Sequence, residues 1–263
     1  MYYSRALPPR MFPRMTSKTP LLPCFDAANG LEIGLDESGR GPLFGRLYVA
    51  AVALPADGSF DHARVRDSKT IKSRRKMREA AEYVMGAALA FRVHYVEAGA
   101  VDALNVLQAD VSAMHACARL LLADPALAGV APADVLLLVD GDYFRPCALF
   151  DAARGEMAVL RDQTVVGGDG KYSSIAAASI LAKDARDAYI DALCASHPEL
   201  AARYAIDSNK GYGSARHMAG IREHGISQFH RRSFGPCKTA DLNPVEPHAE
   251  TIIASTAALA TAA

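Results

Sequence analysis

Residues 135–139 read VLLLV and run directly into Asp140-Gly141. A strand built from such residues has no polar face, so both of its faces must be covered. That places it at the centre of a sheet with helices on either side. The rest of the chain supplies what this strand needs. Residues 31–36 and 47–54 read as strands separated by a glycine- and proline-rich turn. Residues 73–89 have helical spacing, 91–96 alternate as a strand does, and 100–122 are apolar at helical intervals. A short strand at 164–166 precedes a long alanine-rich helix at 173–193 and a shorter helix at 215–224. Strands followed by βα alternation predict an α/β domain.

The chain of 263 residues can bury one good-sized core, or one core with a small appendage. No apolar run reaches the roughly 18 residues of a membrane helix. The five cysteines lie far apart and form no CxxC pair. That argues against a disulfide framework or a zinc site and suits a reducing, cytoplasmic setting. Residues 1–25 hold Arg5, Arg10, Arg14 and Lys18, several prolines and no acid. Residues 1–30 therefore read as a leader, either unstructured or an organellar targeting segment. Residues 31–240 read as the working domain and 241–263 as a flexible tail. The formal net charge is zero, so composition does not itself point to nucleic acid. Two basic stretches, at 66–78 and 210–238, could neutralise phosphates. A solvated helix face is the plain alternative for either.

Acids stand where strands end. Asp36 and Glu37 close the first strand, just before Gly39-Arg40-Gly41-Pro42. Asp140 closes the VLLLV strand, and Asp169 follows Gly167-Gly168 ahead of the long helix. Ligands bind at strand ends in open sheets. Clustered carboxylates repel one another and call for a cation. Oxygen-only ligands favour Mg²⁺ or Mn²⁺. Two such ions about 3.5–4 Å apart can hold the attacking and leaving oxygens of a phosphodiester in line. Neighbouring strand residues face opposite ways, so the glycines after Glu37 suggest that the strand breaks there and re-aims it. The alternative for such acids is a turn residue or a helix cap, and for Asp169 a cap is as good a reading as a ligand. Asp142 and Asp162 are read as turn acids.

Several segments, taken together, resemble one family. Residues 34–43, GLDESGRGPL, are similar to the opening motif of type 2 ribonucleases H, usually DEAGRGP. Asp67-Ser68-Lys69 resembles the family's DSK motif, and Val139-Asp140-Gly141 the segment carrying its third acid. Gly168-Asp169 with SIAAASILAK at 174–183, then KGYG at 210–213 and HRRSF at 230–234, follow in family order. Ser38 stands in place of the usual alanine, Asn209 where histidine often precedes KGYG, and residues 150–162 lengthen the interval between the third and fourth acids. The type 3 enzymes usually carry threonine where this chain has Arg40.

The resemblance implies an RNase H-like fold, with a central mixed β-sheet flanked by helices and a C-terminal helical segment. It implies two divalent ions, Mg²⁺ or Mn²⁺, on a tetrad of Asp36, Glu37, Asp140 and Asp169. It implies cleavage 5′ of ribonucleotides in RNA–DNA hybrids and of single ribonucleotides in duplex DNA, leaving 3′-hydroxyl and 5′-phosphate ends. On the substrate side it implies 2′-hydroxyl reading by Gly39 and Gly41, and phosphate contacts from Arg40 and Lys69. Tyr212 would stack on the sugar beside the cut. His230–Arg232 either hold the closing segment or touch the strand, and the serines of the 173–183 helix are assigned no chemistry. No protein partner or membrane is implied, and a monomer is expected. The competing functions are another RNase H-fold nuclease, such as a resolvase, and a non-catalytic nucleic-acid-binding protein.

Overall fold

The computed structural model describes residues 20–246. In chain order the strands are β1 (Leu31–Ser38), β2 (Leu47–Ala53), β3 (Ala90–Val96), β4 (Val135–Asp140), β5 (Ala148–Asp151), β6 (Glu156–Val159) and β7 (Arg161–Val165). The α-helices are α1 (Arg74–Ala87), α2 (Ala98–Leu104), α3 (Val106–Leu122), α4 (Ser173–Ser196), α5 (Pro198–Tyr204), α6 (Ile206–Asn209) and α7 (Ala215–His224). Five strands form one mixed sheet in the order β3-β2-β1-β4-β7. The pairs β1–β2 and β2–β3 are antiparallel, and β1–β4 and β4–β7 parallel.

Val135–Val139 are all buried, and β4 lies inside the sheet as its composition demands. On one face, the α3 residues Met114, Cys117 and Leu121 pack on Ile33, Leu35 and Leu137. On the other face, α1 and α4 enclose Ala50 and Val52. Gly34 permits that second layer to come close, because a Cβ there would overlap the backbone of Ser174 and Ile175. Helices α5 and α7 and the segment after them form a third cluster around Phe44, Tyr204 and Ile226. This is the C-terminal helical segment that the resemblance implies.

The helix read over 100–122 is two helices. Asn105 breaks it at φ 64°, and its side chain accepts hydrogen bonds from Leu107 and Gln108 N–H, both at 3.1 Å, to start α3. Asparagine caps a helix start well, whereas Leu and Val have no side-chain acceptor to do so. Residues 150–162 are not a plain insertion. They complete the β5–β6 hairpin and open β7, which begins three residues earlier than its apolar pattern suggests.

Part of the segment read as leader joins the fold. Leu22 bridges to Tyr172, with Leu22 N–H donating to Lys171 O and Ser173 N–H to Leu22 O. The Glu32 carboxylate accepts from the Phe25 and Asp26 amides. Residues 1–19, including the leader's basic residues, lie outside the described residues. In the tail, Leu242 bridges to Ile226 and Val245 is buried, whereas 247–263 lie outside the described residues. No described helix is long and apolar enough to cross a membrane.

Candidate active site

The parallel register pairs Leu35 with Val139, so one step further Asp36 and Asp140 stand side by side where the β1–β4 ladder stops. Ligand oxygens of Asp36, Glu37 and Asp140 all lie within 4.8 Å of one another. The expected strand break at Glu37 does not occur. The ladder continues through Glu37–Val49 and Ser38–Tyr48, because β2 supplies partners that far. Instead, Asp36 curls along the strand and accepts the Glu37 amide at 2.7 Å. The turn comes later, at Gly39, with φ 108°.

Burial drives the Asp36 carboxyl well above the usual range, and the charges of Glu37 and Asp140 push the same way. Asp140 is raised by burial and then by Asp169, against the Gly168 amide, which donates to its Oδ1 at 2.6 Å. A side chain at Gly168 would crowd Ile175 and that carboxylate oxygen. Two carboxyls raised by burial and by their acidic neighbours fit a bound cation, which would relieve the repulsion and accept their oxygens.

Asp169 is buried in a tight turn between β7 and α4, and lies outside the 4.8 Å group. Its Oδ2 accepts from Lys69 Nζ at 2.8 Å. It does not cap α4, whose N-cap is Tyr172 with no side-chain bond. The two acids set aside from the sequence lie elsewhere. Asp162 pairs across the ladder with Leu137, three residues before Asp140, and Asp142 lies in the turn after β4.

Beside the acids lies the Gly39–Gly41 turn. A Cβ on Gly39 would strike the Arg186 guanidinium, which donates to the carbonyls of Arg46, Phe44 and Lys210. Tyr212 is 51% exposed, and its Cε1 would lie 3.6 Å from a Cβ on Gly41. The fold thus joins the first motif and the KGYG loop into one wall. Lys69 is turned onto Asp169 and Arg40 onto Asp110, at 3.4 Å. Much of the basic character in the sequence is likewise engaged. Arg74 and Arg78 pair with Asp184, Arg75 with Glu79, and Lys210 with Asp191. Arg231 is fully buried.

Two groups near the acids escaped the sequence reading. Asp110 is buried on α3, at helical spacing from Ala113, Met114 and Cys117. Burial, reinforced by Glu37 and opposed by Arg40, raises its carboxyl to about 8. A charge inside an apolar helical stripe was the available signal. Ser179 on α4 stabilises the charged form of Asp36 through a hydrogen bond, and its Oγ meets Ser68 Oγ at 2.8 Å.

A family model described as Ribonuclease HII matches residues 33–237. The chain belongs to the ribonuclease HII family. It is 41% identical over 206 residues to the ribonuclease HII of Bordetella pertussis, covering 78% of this chain and 89% of that one. It is 36% identical over 219 residues to that of Nostoc, covering 82% and 86%. The fold resembles the solved ribonuclease H2 of Pyrococcus horikoshii, with a TM-score of 0.56 at 20% identity, over 79% of this chain and 95% of that one. A PCNA:RNase HII complex from Archaeoglobus fulgidus matches with a TM-score of 0.56 at 22% identity, over 78% and 95%. A Bst-RNase HIII in complex with Mn²⁺ matches at 0.54 and 18% identity, over 79% and 68%. As a member of the ribonuclease HII family the chain is a metal-dependent endoribonuclease of RNA–DNA substrates. The acidic cluster, the GRG turn and the KGYG loop all fall inside the matched span.

Proposed function

We propose that this chain cuts the phosphodiester 5′ of a ribonucleotide, in RNA–DNA hybrids and at single ribonucleotides in duplex DNA, leaving 3′-hydroxyl and 5′-phosphate ends. The observation that carries this reading is the meeting of Asp36, Glu37 and Asp140 within 4.8 Å beside a turn walled by Tyr212. Asp36, Glu37 and Asp140, with Asp169 as the fourth acid, would hold two divalent ions, Mg²⁺ or Mn²⁺. Bound there, the ions would activate water and neutralise charge on the phosphate.

The chain's own groups then choose the substrate. Backbone amides and carbonyls at Gly39 and Gly41 offer partners to a 2′-hydroxyl, which both donates and accepts. Deoxyribose would leave them unpaired, at a cost of about 1–3 kcal/mol each, or roughly ten- to a hundredfold in rate. Arg40 is half exposed at the turn and can reach the adjoining phosphate. Tyr212 offers its ring to the sugar beyond the cut, where the absence of a 2′-hydroxyl allows close stacking. Lys69 can meet a phosphate only by leaving Asp169, or by bridging the two once an ion occupies the site.

The test is end-mapped cleavage, with Mg²⁺ or Mn²⁺, of three duplexes: all-DNA, DNA with one ribonucleotide, and an RNA–DNA hybrid. The expected result is a cut at the 5′ phosphate of the lone ribonucleotide and an intact all-DNA duplex. Comparable cutting of all-DNA would turn the reading toward a resolvase-type nuclease. Binding without cutting would turn it toward a non-catalytic protein.

A further inference from the structure

Behind the Tyr212 wall lies a pair of fully buried histidines that the chemistry above does not use. His217, on α7, and His230, in the closing segment, face each other through their Nε2 atoms at 3.0 Å. Burial lowers the pKa of both, and His230 is pushed down to about 3, with the neighbouring His217 adding to the effect. Two neutral rings in Nε2-to-Nε2 contact share a single proton, and the surrounding groups settle which ring carries it. The Ser227 amide donates to His230 Nδ1 at 3.0 Å. A backbone N–H can only donate, so Nδ1 is an acceptor and the His230 proton sits on Nε2. That proton points at His217 Nε2, whose own proton must then sit on Nδ1. His217 Nδ1 lies 2.9 Å from the carbonyl of Tyr212, which accepts it. The chain of donors runs from Ser227, whose Oγ also lies 2.9 Å from His230 Nδ1, to the Tyr212 carbonyl, which also accepts the Ser214 amide at 2.7 Å.

The same segment braces the other reading loop. Arg231, the next residue, donates to the carbonyls of Arg40, Pro42 and Gly45. The Tyr212 peptide is held at its other end by its own N–H, which donates to Asn209 O at 3.0 Å. The Tyr212 side chain stays half exposed beyond this anchored peptide.

We propose that His217 and His230 are positioning residues. Their one-way hydrogen-bond relay fixes the Tyr212 peptide, and with it the aim of the Tyr212 ring beside Gly41. The relay thereby sets how strongly the enzyme prefers a single ribonucleotide over a continuous hybrid. This rests on the reading of Tyr212 as the residue that senses the deoxyribose beyond the cut.

The first test needs no variant. Long-range ¹H–¹⁵N correlation on the full chain at neutral pH should find His217 protonated at Nδ1 alone and His230 at Nε2 alone. The opposite tautomer in either ring overturns the relay. The second test is the ratio of kcat/KM on the single-ribonucleotide duplex to that on the hybrid. His217→Leu removes one of the two donors to Tyr212 O, leaving the Ser214 amide at 2.7 Å, and should lower the ratio roughly fivefold, the scale of one lost hydrogen bond. His217→Gln can still meet His230 but does not reach Tyr212 O, so it should show the same loss if the leucine variant does not fold. His217→Asn places an amide near the Nδ1 position and should keep the ratio within about twofold of the parent. A folded His217→Gln or His217→Leu with the parental ratio refutes the relay, provided that Tyr212→Ala lowers the ratio. If Tyr212→Ala itself leaves the ratio unchanged, the sugar-sensing reading has failed, and the relay's role in selectivity falls with it.

Discussion

Asp110 gives the sharpest electrostatic prediction. It is a buried carboxyl whose pKa rises from 3.8 to about 8, through burial first and Glu37 second. A raised carboxyl pKa means that the folded chain holds the proton more tightly than the unfolded chain. Between pH 4 and 8 the unfolded chain releases that proton and the folded chain keeps it, so stability falls as pH rises. The slope is about 1.4 kcal/mol per pH unit for one group. Relative to a neutral side chain, Asp110 therefore costs about 1.5 kcal/mol at pH 5 and about 4 kcal/mol at pH 7. Asp110→Asn abolishes this dependence. Its only evident loss is the 3.4 Å pair with half-exposed Arg40, about 0–1 kcal/mol. The assay is urea unfolding of parent and variant in chelator at pH 5, 6 and 7. The stability advantage of Asp110→Asn should grow by about 3 kcal/mol across that range. A constant offset between the two proteins would refute the assignment of a raised pKa to Asp110.

Asp36→Asn and Asp140→Asn should each abolish cleavage at saturating Mg²⁺ while raising the metal-free melting temperature, as judged by turnover and calorimetry. Each removes one member of a mutually repelling set. Asp169→Asn should likewise lose nearly all turnover, whereas Asp162→Asn, three positions back on the ladder, should cleave like the parent. Gly34→Ala should destabilise the fold by about 1–3 kcal/mol in denaturant titration, because the added methyl meets the unyielding backbone of α4.

The acids at strand ends are legible in the sequence because an apolar run must stop somewhere, and Asp36 and Asp140 stand where the β1–β4 ladder stops. The β3-β2-β1-β4-β7 order is not legible from the runs alone, since local pattern carries no pairing information. The strand break expected at Glu37 is absent because β2 keeps pairing through Ser38, a partner that local alternation does not reveal. Asp110 was hidden inside a helical apolar pattern and acquires meaning only when α3 packs under Arg40. The β5–β6 hairpin escaped notice because its strands are short and expose Phe150, Met157 and Val159, giving no clean inside and outside. The contact between His217 and His230 joins residues in different motifs, and no spacing rule links them.

The ladder between β4 and β7 has a bearing on how lineages of this protein can vary in length. Asp140 and Val165 are locked opposite each other by register, so the chain between them can lengthen or shorten without moving either end. The β5–β6 hairpin occupies that interval, and its turn at Gly155 is open on all sides. The interval between β1 and β2 has no such freedom. Its carbonyls at Arg40, Pro42, Phe44, Gly45 and Arg46 are bound by Arg186 and Arg231, so a residue added or removed there would break the wall beside Asp36. Insertions should therefore accumulate between the third and fourth acids and be purged beside the first two. The same asymmetry recommends the Gly155 turn for splicing in a peptide tag or a fluorescent domain.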